Sequence, residues 1–180
     1  MKIISLSATL AFTLIFGYGP VHAHVEKGMP DSIAEMEYRI LLEFKPGDVE
    51  SRIKLGMVLL NQNKFKEADK EFHKALKSSP ESQQAHIGLA ILHLKQNRTD
   101  RALEFIKEAL IIDPERGEVY LHYGKILQSA SRNKEALQMY KLGLGKLDPS
   151  PESEDHHHRV KIDQAIQEIE VGIKQSASIN

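Results

Sequence analysis

Nine histidines carry most of the chemical capacity of this 180-residue chain, and no cysteine accompanies them. His156, His157 and His158, preceded by Glu154 and Asp155, are candidate Zn²⁺ or Cu²⁺ ligands through their imidazole nitrogens. Consecutive residues on a helix point about 100° apart, so the three converge on one ion only if the segment is extended. Otherwise they form a solvated tract that adsorbs metal weakly. His24 would offer an α-amine and an imidazole, a bidentate copper chelate, if processing made it the N-terminus and a second histidine lay nearby. His86 and His93 are seven apart and share a helix face, which fits packed side chains better than ligands. The missing cysteine removes disulfides, thiolate metal sites and a cysteine nucleophile. No Walker A loop, GxGxxG, GxSxG or HExxH motif is present, so neither an enzyme nor a cofactor is expected.

Bulk charge adds little. Twenty-four Lys and Arg against 25 Asp and Glu leave a formal charge of −1, which gives no electrostatic case for nucleic acid or an anionic membrane. The N-terminus is more telling. Lys2 precedes an apolar run from Ile3 to Phe16, which Gly17, Gly19 and Pro20 break before Val21-His22-Ala23. This layout predicts a signal peptide over 1–23, with an uncleaved anchor as the alternative. The run is shorter than the roughly 20 apolar residues a spanning helix needs. Export without cysteine suits a bacterial periplasm, or secretion otherwise, with no stable membrane insertion after cleavage.

The elements that would position any site follow from a repeat. Pro46, Pro80 and Pro114 are 34 residues apart, and Ala68, Ala102 and Ala136 keep that interval. So do Gly56, Ala90 and Gly124; Leu55, Leu89 and Tyr123; Phe72, Ile106 and Tyr140; and Ala75, Ala109 and Gly143. Periods of 20–50 residues signal a stacked architecture. Each unit reads as two helices, the first carrying Ile53, Leu55, Val58 and Leu59, then a turn at Asn61-Gln62-Asn63. The second carries Phe65, Ala68, Phe72 and Ala75 at three- and four-residue steps, and Pro80 closes it.

The set Leu55-Gly56, Ala68, Phe72, Ala75 and Pro80, with its two successors, resembles the tetratricopeptide repeat (TPR). Arg52 and His86 depart from the pattern where an aromatic or bulky apolar residue is common, and Tyr120 fits it. The resemblance implies an all-α fold, a right-handed α-solenoid of three helical hairpins. The expected organisation is a signal peptide 1–23, a flexible N-terminus 24–30 and a half-repeat helix 31–48. Repeats follow at 49–82, 83–116 and 117–148, then a capping helix 149–176 and a tail 177–180. Ser150-Pro151-Glu152 reads as the start of that capping helix, and Ile162, Ile166, Ile169 and Ile173 as its buried stripe.

What the resemblance implies about function is a concave groove on the first helices. Ile53, Met57, Leu60, Ile87, Ile91, Leu94 and Leu121 would give it an apolar floor, with His122 and Lys125 at one end. Such a groove takes an amphipathic helix or extended peptide, unless these side chains pack between units instead. The expectation is a non-catalytic module that binds a protein or peptide partner and assists assembly of an envelope complex. The alternatives are a histidine-based Cu or Zn carrier and a self-associating scaffold or homo-oligomer.

Overall fold

The computed structural model describes residues 30–177. The expected signal peptide 1–23, His24, the N-terminal residues up to 29 and the tail from 178 lie outside the described residues. Eight helices and no strand occur among those described: α1 (Asp31–Phe44), α2 (Val49–Asn61), α3 (Phe65–Ser78), α4 (Gln83–Lys95), α5 (Thr99–Ile112), α6 (Gly117–Ser129), α7 (Asn133–Lys146) and α8 (His156–Ala177). Pairs α2/α3, α4/α5 and α6/α7 are antiparallel hairpins, stacked in chain order between α1 and α8. The architecture is an α-solenoid of three helical hairpins.

Each hairpin turn is closed by a residue at positive φ: Asn63 at 59°, Asn97 at 58° and Ser131 at 59°. These positions are again 34 apart. Asparagine tolerates left-handed backbone because its short side chain bonds locally, whereas serine is less suited to it.

Close helix approach explains the small residues of the period. The Phe72 ring of α3 lies against Gly56 of α2 and Gly88 of α4, and a Cβ built on Gly56 would stand 2.6 Å from Phe72 Cε1. Tyr140 lies against Gly124 in the same way. Fully buried Leu55, Leu59, Leu89, Ile106, Leu127 and Tyr140 extend the apolar core along the stack. Burying each contributes on the order of 1.5–3 kcal/mol.

The unusual residues at the aromatic site have their own structural logic. Tyr120 donates from its hydroxyl to the Pro114 carbonyl at 2.9 Å, and Arg52, at the matching site of the first repeat, donates from Nη2 to the Pro46 carbonyl. Arg52 Nη1 also meets Glu71 Oε2 at 2.6 Å, with both side chains nearly buried. Lys74 adds a second contact to Glu71 at 2.7 Å. Burial pushes the Glu71 carboxyl up, but the hydrogen bonds from Lys74 and Arg52 outweigh it and hold the group below its ordinary range.

The last helix begins later than the sequence suggests. Residues 151–155 form turns, and α8 starts at His156 rather than at Ser150-Pro151-Glu152. Acid side chains there capture backbone donors: Asp155 Oδ2 accepts from the Asp148 N–H at 2.9 Å, and Asp148 Oδ1 from the Ser150 N–H at 2.8 Å. These bonds compete with helical ones and delay the helix. Arg159 then donates to the Leu144 and Leu147 carbonyls at 2.9 and 3.1 Å, covering the end of α7. Ile162 and Ile169 are buried and Ile166 is half-buried against α7 and its neighbours, while the side chain of Ile173 lies outside the described set.

Candidate partner-binding groove

The first helices α2, α4 and α6 touch in series and α8 continues the row, while α3, α5 and α7 do not touch one another. The stack therefore curves with α2, α4, α6 and α8 on its inner side.

That inner face is less open than the spacing of its apolar residues suggests. Leu60, Ile87 and Leu121 are only 1, 4 and 1% exposed. They are corrected from groove residues to core: Leu60 packs in the cluster of α1 to α4, Ile87 in that of α4 to α6, and Leu121 in that of α6 to α8. Neighbouring first helices approach so closely that these inward positions meet the next helix instead of solvent. Met57 is 36% exposed, and Ile53, Ile91 and Leu94 are half-buried around the same face. Ile91 belongs to two core clusters at once.

The groove becomes polar toward its C-terminal end. Glu118 lies 3.2 Å from Arg116 Nε, 3.8 Å from His122 Nε2 and 4.0 Å from His158 Nε2. His122 first, with Arg116 and His158 adding charge, holds the Glu118 carboxyl down to about 2 against the opposing effect of burial. Lys125 is half-buried one turn beyond His122. Burial pushes its ammonium pKa down, and repulsion from Lys161 of α8 adds to this. Sequence reasoning put His122 and Lys125 here but missed the contribution of α8. The available signal was the Ile162–Ile166–Ile169 stripe, since His158 sits one turn before Ile162 on that face.

The remaining histidines sort by environment. His93 stacks on Phe105 of α5, with ring centroids 5.3 Å apart and planes 5° from parallel. Burial pushes its pKa down. His86 tilts toward the same ring at 6.4 Å and its Nδ1 bonds the Ser82 carbonyl at 3.0 Å, while His73 meets Phe105 edge-on at 6.5 Å. His156 and His157 are exposed, and His158 turns toward Glu118. Because all three lie in the first turn of α8, they diverge. Among the described residues no group of three His, Asp or Glu side chains is placed to hold a metal ion.

Residues 53–117, which include most of the inner apolar strip, match the tetratricopeptide repeat family model. Over this span the chain carries tetratricopeptide repeats. The 34-residue period, the alanines at helix contacts and the aromatic laid over glycine are this repeat's packing code at work. Solved structures agree in fold. A thermophilic TPR protein of Thermus thermophilus superposes with a TM-score of 0.65 at 19% identity, covering 76% of this chain and 73% of that one. The Yersinia enterocolitica type III secretion chaperone SycD, in complex with a peptide of the translocator YopD, gives 0.60 at 15% identity, covering 68% and 92%. Pseudomonas aeruginosa PilF gives 0.60 at 22% identity, covering 82% of this chain and 57% of PilF. No curated protein sequence matches the chain.

Proposed function

We propose that this TPR chain is a non-catalytic adaptor that holds a partner peptide or helix along its inner face. The observation that carries this reading is the change of character along that face. Met57, with Ile53, Ile91 and Leu94 around it, offers an apolar seat, and Glu118, His122, Lys125, His158 and Lys161 offer a charged end. A ligand with apolar side chains at one end and charge at the other would be fixed in direction as well as place. The peptide-bound state of SycD supports the use of this fold for peptide capture.

The export pattern at residues 1–23 supports a location in the bacterial envelope or outside the cell, where the adaptor would assist assembly of a complex. No helix among the described residues is long and apolar enough to cross a membrane.

Affinity capture from an envelope fraction tests the proposal, with wild-type chain compared to Met57→Glu. Met57 is 36% exposed, and the variant's melting curve is expected to match that of wild type. The expected result is a defined co-purifying protein that the variant loses at least tenfold. Equal capture by both would refute the inner-face assignment.

A further inference from the structure

One repeat position, followed along the stack, changes from apolar to cationic. Met57, Ile91 and Lys125 are 34 residues apart, so they occupy the same site on α2, α4 and α6. Met57 is 36% exposed, and Ile91 and Lys125 are half-buried. Lys161, exposed on α8, extends the row and repels Lys125. Other lysines have partners: Lys64, Lys74 and Lys146 each reach a carboxylate, at 2.7, 2.7 and 2.6 Å. Among the described residues Lys125 and Lys161 have no hydrogen bond or ion pair. No residue three or four positions from either lysine is acidic. Glu118, the acid at this end of the groove, is already compensated by Arg116 at 3.2 Å, with His122 and His158 beyond. A half-buried ammonium without a counter-ion costs stability. Repeat packing does not call for it, since Met57 and Ile91 fill the same site with apolar side chains.

We propose that Lys125 and Lys161 receive side-chain carboxylates of an extended partner peptide whose apolar side chains lie at Met57 and Ile91. This pairing rests on the inner-face assignment and names the chemistry of what docks there. The lysines supply the cations, and the half-burial of Lys125 protects its ion pair from screening by salt. The spacing of the ligand follows from the stack. Packed helices lie about 8–10 Å apart, and an extended chain advances about 3.3 Å per residue. One step along the row therefore spans about three peptide residues. The ligand carries two apolar side chains about three residues apart and an acid about three residues beyond them. A further acid within the next turn of spacing reaches Lys161. Acid at one end only fixes the direction of the peptide, which an apolar groove alone leaves open. The same two cations repel a basic segment.

A library of random peptides of about 12 residues, long enough to cross four helices, tests this on the full chain. The peptides are displayed on phage with their C-termini joined to the coat protein, so any acid selected is a side chain. Wild type should enrich peptides bearing Asp or Glu about three residues beyond an apolar position. Lys125→Gln with Lys161→Gln should enrich the apolar spacing without the acids. A selected acidic peptide should bind this double variant at least about tenfold more weakly than wild type. Raising sodium chloride from about 50 to 500 mM should weaken its binding to wild type far more than to the variant. The double variant should melt no lower than wild type, because no bond is lost. Should it fail to fold, Lys161→Gln alone, at an exposed site, must weaken the acidic peptide by about threefold or more. Selected peptides without acids, or acids still selected by the double variant, overturn the proposal. If Met57→Glu abolishes binding of those same peptides, the inner-face assignment stands without it. No enrichment by wild type overturns both.

Discussion

The Phe72 ring of one repeat rests on Gly88 of the next, so the stack is joined where an aromatic side chain meets bare backbone. Added atoms there have nowhere to go. Gly88→Ala should lose about 1–3 kcal/mol to overpacking, only partly offset by better helix propensity. Gly145 is also helical but has nothing within 4 Å of a built Cβ, so Gly145→Ala should gain about 0.5–1 kcal/mol. Urea midpoints of the two variants should move in opposite directions.

The Arg52–Glu71 pair is nearly buried, with side chains 12 and 10% exposed. Glu71→Leu removes the carboxylate and leaves Arg52 and Lys74 without it, and should cost about 2–4 kcal/mol. Arg52→Met together with Glu71→Leu should recover much of that loss, because no unpaired charge remains. A double-mutant cycle in urea measures the coupling.

Ser131 holds φ at 59° where the two earlier turns use asparagine. Ser131→Asn should therefore raise stability by about 0.5–1 kcal/mol. The same substitution at Ser129, at the end of α6 with ordinary backbone, should not.

Glu35 ties α1 to the first repeat: Lys64 Nζ reaches Oε2 at 2.7 Å and Arg39 Nη2 reaches Oε1 at 2.9 Å. The Lys64 bond first, with Arg39 and Gln62 adding, overcomes burial and lowers the carboxyl from 4.5 to about 2. A depressed carboxyl pKa means the contribution is full above 4.5 and is lost as pH falls from there toward 2. The melting temperature should fall between pH 6 and pH 3. Glu35→Gln should be less stable than wild type at pH 6 and show a smaller drop. An equal drop in both would assign acid sensitivity to other groups.

Much of this organisation was legible in the sequence. A strict period in Pro, Ala, Gly and aromatic positions reports local helix packing, which depends on residues three, four and thirty-four apart. His86 and His93 were legible as packed residues because they share a face, although the ring that gathers them, Phe105, was not. The sequence places the start of α8 too early because Pro151 at a first helical turn is a strong local signal, whereas the Asp148 N–H to Asp155 bond that opposes it joins residues seven apart.

The candidate site was legible only in part. Sequence periodicity marked Ile53, Met57, Leu60, Ile87, Ile91, Leu94 and Leu121 alike as inward-facing and apolar. It could not say which of them meet a neighbouring helix. The superhelical stacking closes Leu60, Ile87 and Leu121 and leaves Met57 in contact with solvent. It also brings His158 and Lys161, some forty residues away in the chain, to Glu118 and Lys125. The sequence alone determined the repeat, its two-helix unit and the side of each unit that faces inward, because those are properties of one helix and its nearest partner. Which inward residues remain open, and what charge they face, only the tertiary structure decided, because burial is set by how successive units approach and not by any one helix.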